Sequence, residues 1–580
     1  MPFPAFIILA ALLCTATLAA IARLREPAYR VAAAITGGAT VMFVDAIFYV
    51  RHYSDDAYIT LRYARNLADG VGPVWNPGQH VEGYTNFLWM VVLAGMYRIG
   101  IDLVSGSLLL SYAAMLVMVL LVWRIWRLWA DEEGGVIAEP ATLAVVLLAI
   151  GLNDAIVFWG FSGLETPLAA ALLTATVYLY LTETRGSRFP WSAVAAAAAA
   201  MTRPELVLAG GVTGGFVAWE AIHTRDLASA RRAAGWVALF ATLFGAYFIW
   251  RYTYYGYLFP NTFYAKVGSN TDFVQRGLSY VRANGMAYLF LPFVVGGLVL
   301  LTQGAPRVRR DLVYILAIIA VLVAAIIIEG GDAFGHGRFV APLVPILYLP
   351  GICGLAVMLS RAVPDRRQFA TVAAVAGVLA GLALAHASID PGLVQDRRAL
   401  EERRLWGLWL RDNLPHDYLV ATYASGALPY YSQLPGLDML GLTDETIAHA
   451  HVPNFGKGVI AHEKYDIGYV LVTARPQVIV MSDTEPFVFT RALYESRRGI
   501  VEGQNQLIDD KRTWELYEPS AVQYGGRWFN LLVRKDVVDA LKLDWTESKG
   551  FMNNGAFASA GWSAASRAVA LRSQRCGCPP

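Results

Sequence analysis

The sequence predicts a polytopic α-helical membrane protein of about eleven to twelve transmembrane helices, with juxtamembrane helices and a C-terminal α/β extracytoplasmic domain. Three observations carry that expectation. Of 580 residues, 56% are hydrophobic and only 16% charged, with mean hydropathy +0.44, whereas soluble domains carry about 25% charged residues. Apolar runs of roughly 20 residues, enough to cross a ~30 Å hydrocarbon core, recur as far as position 387. From 389 onward no such run occurs, and charged residues alternate with short apolar stretches. The same composition excludes disorder. A net charge of +2 gives no bulk attraction to nucleic acid, so no nucleic-acid partner is expected. Two cysteines lie in apolar segments and two near position 577, which reads as neither a disulfide framework nor a zinc site.

The expected spans are 3–22, 30–50, 106–126, 137–153, 167–182, 205–222, 234–253, 285–303, 312–328, 339–360 and 369–387. A shorter one at 190–203 pairs with 205–222 around Thr202-Arg203-Pro204-Glu205. No basic flank precedes the first span, and Arg23 and Arg25 follow it. It therefore reads as a membrane helix with its N-terminus outside rather than a cleaved leader. One set of loops (23–30, 124–139, 183–190, 220–233, 304–311, 361–367) holds 16 arginines in 61 residues, and the opposite set holds 9 basic residues in 94. The arginine-rich set is expected on the cytoplasmic side. Within the opposite set, 57–67 has apolar positions at helical spacing with Arg62 and Arg65 on another face, which predicts a helix lying along the interface. Residues 87–97 are apolar but too few to cross. Three domains follow: membrane helices over 1–388, a soluble domain over 389–545 and a loosely ordered tail over 546–580. In the soluble domain, 418–423, 470–473 and 478–480 read as strands, and 399–413 as a helix that stops before Leu414-Pro415.

The outer loops are unusually polar. Asp55 and Asp56 follow a spanning helix directly, and four further clusters share their side: Ser162-Gly163-Leu164-Glu165-Thr166, Thr202-Arg203-Pro204-Glu205, Arg251 through Lys266, and Glu329 through Arg338. A bland reading exists for each. Carboxylates suit helix starts, and Tyr, Trp and Arg populate interfacial belts. Carboxylates at a membrane edge are costly unless paired or functional, and five clusters on one face suggest a single polar cavity. Aspartate there supplies a base, and arginine supplies donors suited to phosphate. Trp406, Trp409, Tyr430 and Tyr431 read as core residues ahead of a sugar-stacking surface.

The run DDAYITLRYARNLADGVGPVWNPGQHVEGYTNFLW, followed by SGLET, TRPE, YYGYLFPNTFYAK and GGDAFGHGRF, resembles the GT-C superfamily of integral-membrane glycosyltransferases. Within it the chain is most similar to the mycobacterial terminal β-(1→2)-arabinofuranosyltransferases, over roughly 50–345. It departs from them in its extra N-terminal span and in the loop Glu82-Gly83-Tyr84-Thr85-Asn86. The resemblance implies a GT-C fold in the cytoplasmic membrane with its active site outside. It also implies inverting transfer of a sugar, arabinofuranose as first candidate, from a polyprenyl-phosphate donor to a cell-envelope glycan or glycolipid. Mannose, rhamnose or aminoarabinose transfer is the alternative. Asp55 matches the family's catalytic base and Asp56 its neighbour. Arg203, Arg251, Lys266, His336 and Arg338, chosen on charge and side, are candidates for donor phosphate binding. Glu82, Tyr84, Asn86, Glu165 and Asp332 are candidates for substrate contact. No cofactor and no metal are expected, because arginines can neutralise the phosphate. A transporter would concentrate ionisable groups at the bilayer midplane in broken helices, and here nearly all lie in outer loops. A structural partner of an envelope complex is the third reading.

Overall fold

The computed structural model describes residues 3–49, 53–187, 189–268, 270–362, 392–453, 455–481, 501–524, 527–538, 541, 545–547 and 569–571. The chain forms two compact units, one of Met1–Tyr53, Thr85–Gly256 and Ser269–Leu393, the other of Ser54–Tyr84, Tyr257–Gly268 and Val394–Pro580. Two stretches expected on the outer side between membrane helices, 54–84 and 257–268, thus group with the C-terminal part of the chain.

The first unit is helical, and the chain is a multi-pass membrane protein. Five helices are long and apolar enough to cross a bilayer: Leu103–Glu133, Pro204–Thr224, Leu227–Tyr255, Pro306–Glu329 and Ala341–Arg361. Two bent pairs bring the number to seven among the described residues, against the eleven to twelve expected for the whole chain. One bend falls at the end of the expected span 137–153 and the other inside the expected span 285–303. In 137–153 the first helix ends at Gly151 and Asn153 starts a second, its side chain accepting from the Ile156 N–H, with a bend of 55°. In 285–303 Leu289 takes a left-handed conformation (φ 56°) and the bend is 79°. Helices also form at Phe3–Arg23, Pro27–Tyr49 and Thr166–Glu183. Trp191–Thr202 and Phe87–Arg98 have 12 residues each, roughly 18 Å of helix and short of a crossing. The span expected at 369–387 lies outside the described residues.

Between apolar helices in lipid, close backbone approach replaces the hydrophobic effect as the source of packing. The helices Phe290–Gln303 and Val344–Ala362 show this. A Cβ on Gly354 would stand 1.7 Å from the carbonyl oxygen of Gly296, so only glycine lets these two backbones meet.

The second unit contains a five-stranded sheet of order β2-β1-β3-β5-β4, with β1 Val420–Thr422, β2 Gly436–Asp438, β3 Val478–Val480, β4 Tyr517–Tyr524 and β5 Arg527–Arg534. β1 runs parallel to β2 and β3, while β3 to β5 and β5 to β4 are antiparallel. Alternation along the strands sends Val478, Val480, Leu531 and Val533 to one face and Ile479 and Leu532 to the other. The first face packs on Trp406, Trp409 and Leu410 of the helix Gly392–Asn413. The second packs on Ile467, Val470, Leu471, Leu507 and Ile508. Both faces are covered, and Trp406 and Trp409 are core as expected, at 2% and 1% exposure; Tyr430, at 6%, is buried against Tyr58 instead, and Tyr431 is only half-buried.

The strand expected at 470–473 is instead a π-helical turn, Tyr469–Ala474. Val470 and Leu471 are buried while Val472 and Thr473 are exposed, a paired rather than alternating pattern, and the Asp466 carboxylate accepts from the Tyr469 N–H at 2.8 Å. In the stretch expected to be a loose tail, the described residues Trp545–Glu547 and Val569–Leu571 pair as antiparallel strands.

One buried carboxyl gives this unit a pH signature. Asp444 caps the helix Glu445–His449 through the Ile447 N–H. Burial, aided by nearby Asp438, pushes its carboxyl from 3.8 up to about 6. An acid with a raised folded-state pKa stabilises the fold below its unfolded value and loses that contribution as pH rises through the folded one. Stability should therefore fall between pH 4 and 6, on the order of 2 kcal/mol from this group. Asp444→Asn should flatten that window in thermal unfolding scans from pH 4 to 8. An unchanged slope would assign it to another group.

Candidate functional site

Asp55 and Asp56 open the helix Ala57–Ala68 in the second unit. Asp56 has helical backbone angles (φ −59°, ψ −27°) and makes no side-chain cap bond, since a capping side chain needs an extended backbone. Asp56 therefore does not cap this helix. Asp55 is held on both oxygens. Its Oδ1 accepts from the Ala427 N–H at 3.0 Å, and its Oδ2 lies 3.3 Å from Nη1 of Arg403, with 17% of the Asp55 side chain exposed. Gly426 passes so close that a Cβ there would meet the Asp55 carbonyl oxygen at 1.9 Å.

The helix carrying these residues is not the interfacial amphipathic helix expected from its pattern. Ala57 through Ala64 are all buried. Arg62, expected on a polar face, is 5% exposed and donates to the carbonyls of Trp75 (2.8 Å), Pro429 (2.6 Å) and Leu434 (2.8 Å) and to Asn76 (3.3 Å). A guanidinium fork offers five donors, so it can be buried wherever loop carbonyls converge. Glu82 and Tyr84 are buried in the same unit at 3% each. Tyr84 packs edge-on against Tyr63 at 4.8 Å, and the Glu82 carbonyl accepts from the Asn261 N–H at 3.0 Å. Asn261 also donates to the carbonyls of Gly441 and Leu442, which fixes the short helix Asn261–Lys266. Lys266 is half-buried at its end and makes no ion pair among the described residues.

The other candidates lie in the first unit, where Glu165 links two of them. Its carboxylate accepts from the Asn86 amide at 2.8 Å and lies 3.5 Å from Nη1 of Arg203. Glu165 precedes the helix Thr166–Glu183 but makes no cap bond to it. Arg203, held at the break before Pro204, donates to Glu205 as well. Arg338 makes two bonds to Asp332, at 2.7 and 3.0 Å, between the rings of Phe334 and Phe339. His336 Nδ1 meets Asp154 at 2.7 Å, and its ring stacks on Phe158 at 4.0 Å. Arg251, expected at an exposed loop, is 3% exposed.

Several of the nominated residues thus pair with one another, Arg203 with Glu165 and Arg338 with Asp332, while Glu205 and Asp154 were missed. Arg203 and Arg338 each face a carboxylate that answers their charge within the chain, and His336 makes a hydrogen bond to Asp154. Glu205, Asp154, Arg403, Gly426 and Asn261 are the residues not anticipated in these roles. Glu205 and Asn261 stood inside motifs that were singled out, whereas nothing local to Arg403 or Gly426 signals Asp55. Among the described residues, no three His, Cys, Asp or Glu side chains gather as for a metal ion.

The fold belongs to a known class. The crystal structure of ArnT from Cupriavidus metallidurans bound to undecaprenyl phosphate matches with a TM-score of 0.50 at 14% identity, over 86% of this chain and 97% of that one. At that identity the likeness shows the fold, which is GT-C. In sequence, the chain is similar to the terminal beta-(1->2)-arabinofuranosyltransferase of Mycobacterium tuberculosis (strain ATCC 25618 / H37Rv), 30% identical over 393 residues, 60% of each chain. The Corynebacterium glutamicum protein of the same name is 29% identical over 342 residues, 51% of this chain and 48% of that one. The chain thus spans between about half and three fifths of these relatives. Residues 395–531 match a family described as a domain of unknown function (DUF8728).

Proposed function

We propose that this chain is an inverting glycosyltransferase of the cytoplasmic membrane. It moves arabinofuranose from a polyprenyl-phosphate carrier to a hydroxyl of a cell-envelope glycan or glycolipid. The observation that carries this is the 30% identity over 393 residues with a named arabinofuranosyltransferase, on a GT-C fold. Asp55 takes the acceptor proton as the hydroxyl attacks the anomeric carbon, since a hydroxyl is a poor nucleophile without a base. The carbon–oxygen bond to the carrier breaks on the opposite face, and the electron pair leaves on the phosphate. The growing negative charge needs cationic donors already in place. Lys266, which answers no carboxylate among the described residues, is the first candidate among the five basic residues.

The decisive experiment incubates the purified full chain with radiolabelled polyprenyl-phosphate sugars and an arabinan acceptor. Transfer from the arabinofuranose donor is expected. Transfer only from mannose, rhamnose or aminoarabinose donors would reassign the sugar, and transfer from none would overturn the proposal.

In the same reading Asp55 and its neighbours face outward. Introduced cysteines near 70, 268 and 334 should react with an impermeant thiol reagent on intact cells. Those near 186 and 228 should react only after permeabilisation. Labelling of position 334 from the cytoplasm alone would overturn both the orientation and the site.

A further inference from the structure

We propose that Arg403 and the Gly426-Ala427 turn are the positioning elements for the Asp55 carboxylate, so that the chain beyond residue 394 completes the catalytic centre. The proposal rests on the reading of Asp55 as the base and goes beyond it. A base must present a fixed lone pair to the incoming hydroxyl, and a carboxylate following a helix end has free torsions unless something holds it. Here each oxygen has its own anchor: the Ala427 N–H on Oδ1 at 3.0 Å and the Arg403 guanidinium beside Oδ2 at 3.3 Å. Each oxygen keeps lone-pair capacity for a substrate proton.

Both anchors come from helices packed into the unit. Arg403 projects from the helix Gly392–Asn413, whose Trp406 and Trp409 are buried against the sheet at 2% and 1% exposure. The Ala427 N–H belongs to the start of the helix Ala427–Ser432, and its reach to Asp55 depends on Gly426. A Cβ at 426 would stand 1.9 Å from the Asp55 carbonyl oxygen and 2.7 Å from its Cγ. Any side chain there must push the turn and the carboxylate apart. Arg403 touches no reacting atom in this account. It acts through Asp55, and a shift of the base by about 1 Å is enough to cost roughly 10²-fold in rate.

The test uses the full chain and radiolabelled polyprenyl-phosphate arabinofuranose. Arg403→Gln should lower kcat by about 10- to 100-fold with donor KM within about twofold, the split expected when orientation rather than binding is lost. Arg403→Lys should restore most of that loss, because a lysine keeps the positive charge opposite Asp55 Oδ2. Gly426→Ala should lower kcat at least as far. Arg411→Gln, on the same helix but paired with Asp412 at the surface, should behave as wild type. An Arg403→Gln enzyme with kcat within twofold of wild type, or an equal loss in Arg403→Lys, would overturn the proposal. Amide hydrogen exchange at Ala427 needs no turnover: exchange should quicken in Asp55→Ala, and unchanged protection there would also overturn the clamp. Quickened exchange alongside a wild-type chain that transfers no sugar would instead remove the assigned activity and leave the clamp standing.

Discussion

Asp55→Asn is expected to lower turnover by about 10²-fold or more, the usual scale for loss of a general base, while the protein folds and binds donor as before. Asparagine keeps an oxygen to accept from the Ala427 N–H, so the turn at Gly426 need not move. What disappears is basicity and the charge opposite Arg403. That pair is partly exposed, 22% and 17% by side chain, and its loss should cost no more than about 1 kcal/mol of stability. Asp56→Asn is the matched control: Asp56 makes no cap bond, and its replacement should cost much less in turnover. Initial-rate measurements on both variants, with melting temperatures alongside, decide the matter. Full activity in a well-folded Asp55→Asn protein would exclude Asp55 as the base, and a large loss in Asp56→Asn alone would move the role one residue along.

Arg338→Ala is expected to destabilise the helical unit by about 3–5 kcal/mol, the scale for leaving one member of a buried ion pair alone. Arg338 and Asp332 have side-chain exposures of 11% and 6%, and two hydrogen bonds join them. The penalty comes chiefly from the stranded Asp332 carboxylate, so removing both partners should recover most of it. Thermal unfolding of the single and double alanine variants in detergent gives the cycle. If the double variant melts as low as Arg338→Ala, the arginine acts through packing on Phe334 and Phe339 instead. If stability is unchanged while donor KM rises, Arg338 leaves Asp332 for the donor phosphate.

The helices were legible because their cause is local: an apolar run in lipid must satisfy its own backbone, and a helix does that. The break at Arg203-Pro204 was legible for the same reason, as proline dictates it nearby. The bend at Leu289 was missed although Pro292, three residues on in the first turn of the helix Phe290–Gln303, marks a helix start there. The hairpin of β4 and β5 carried a readable signal in Gly525-Gly526 and was overlooked. Asp55 was found through its motif, but its anchors were beyond reach, because Ala427 lies 372 residues further on and no periodicity encodes such a distance. Arg62 shows the same limit from the other side. Its spacing placed it on a wet face, and only the folded chain brings four oxygen acceptors around it. The pairings of Arg203 and Arg338 were half legible, since Glu205 and Asp332 stand two and six residues away.

The interleaving of the second unit sets an order on the ribosome. Its first strip, Ser54–Tyr84, emerges before most membrane helices, yet Pro429 and Leu434, which complete the shell of Arg62, and the groups that grip Asp55 arrive only after the last described one. At roughly 5–20 residues per second, the 372 residues between Asp55 and Ala427 take from about 20 to 75 s to synthesise. For that interval a nascent chain carries an unassembled base. A polypeptide cut short between residues 362 and 403 carries every described spanning helix and yet lacks both groups that hold the Asp55 carboxylate.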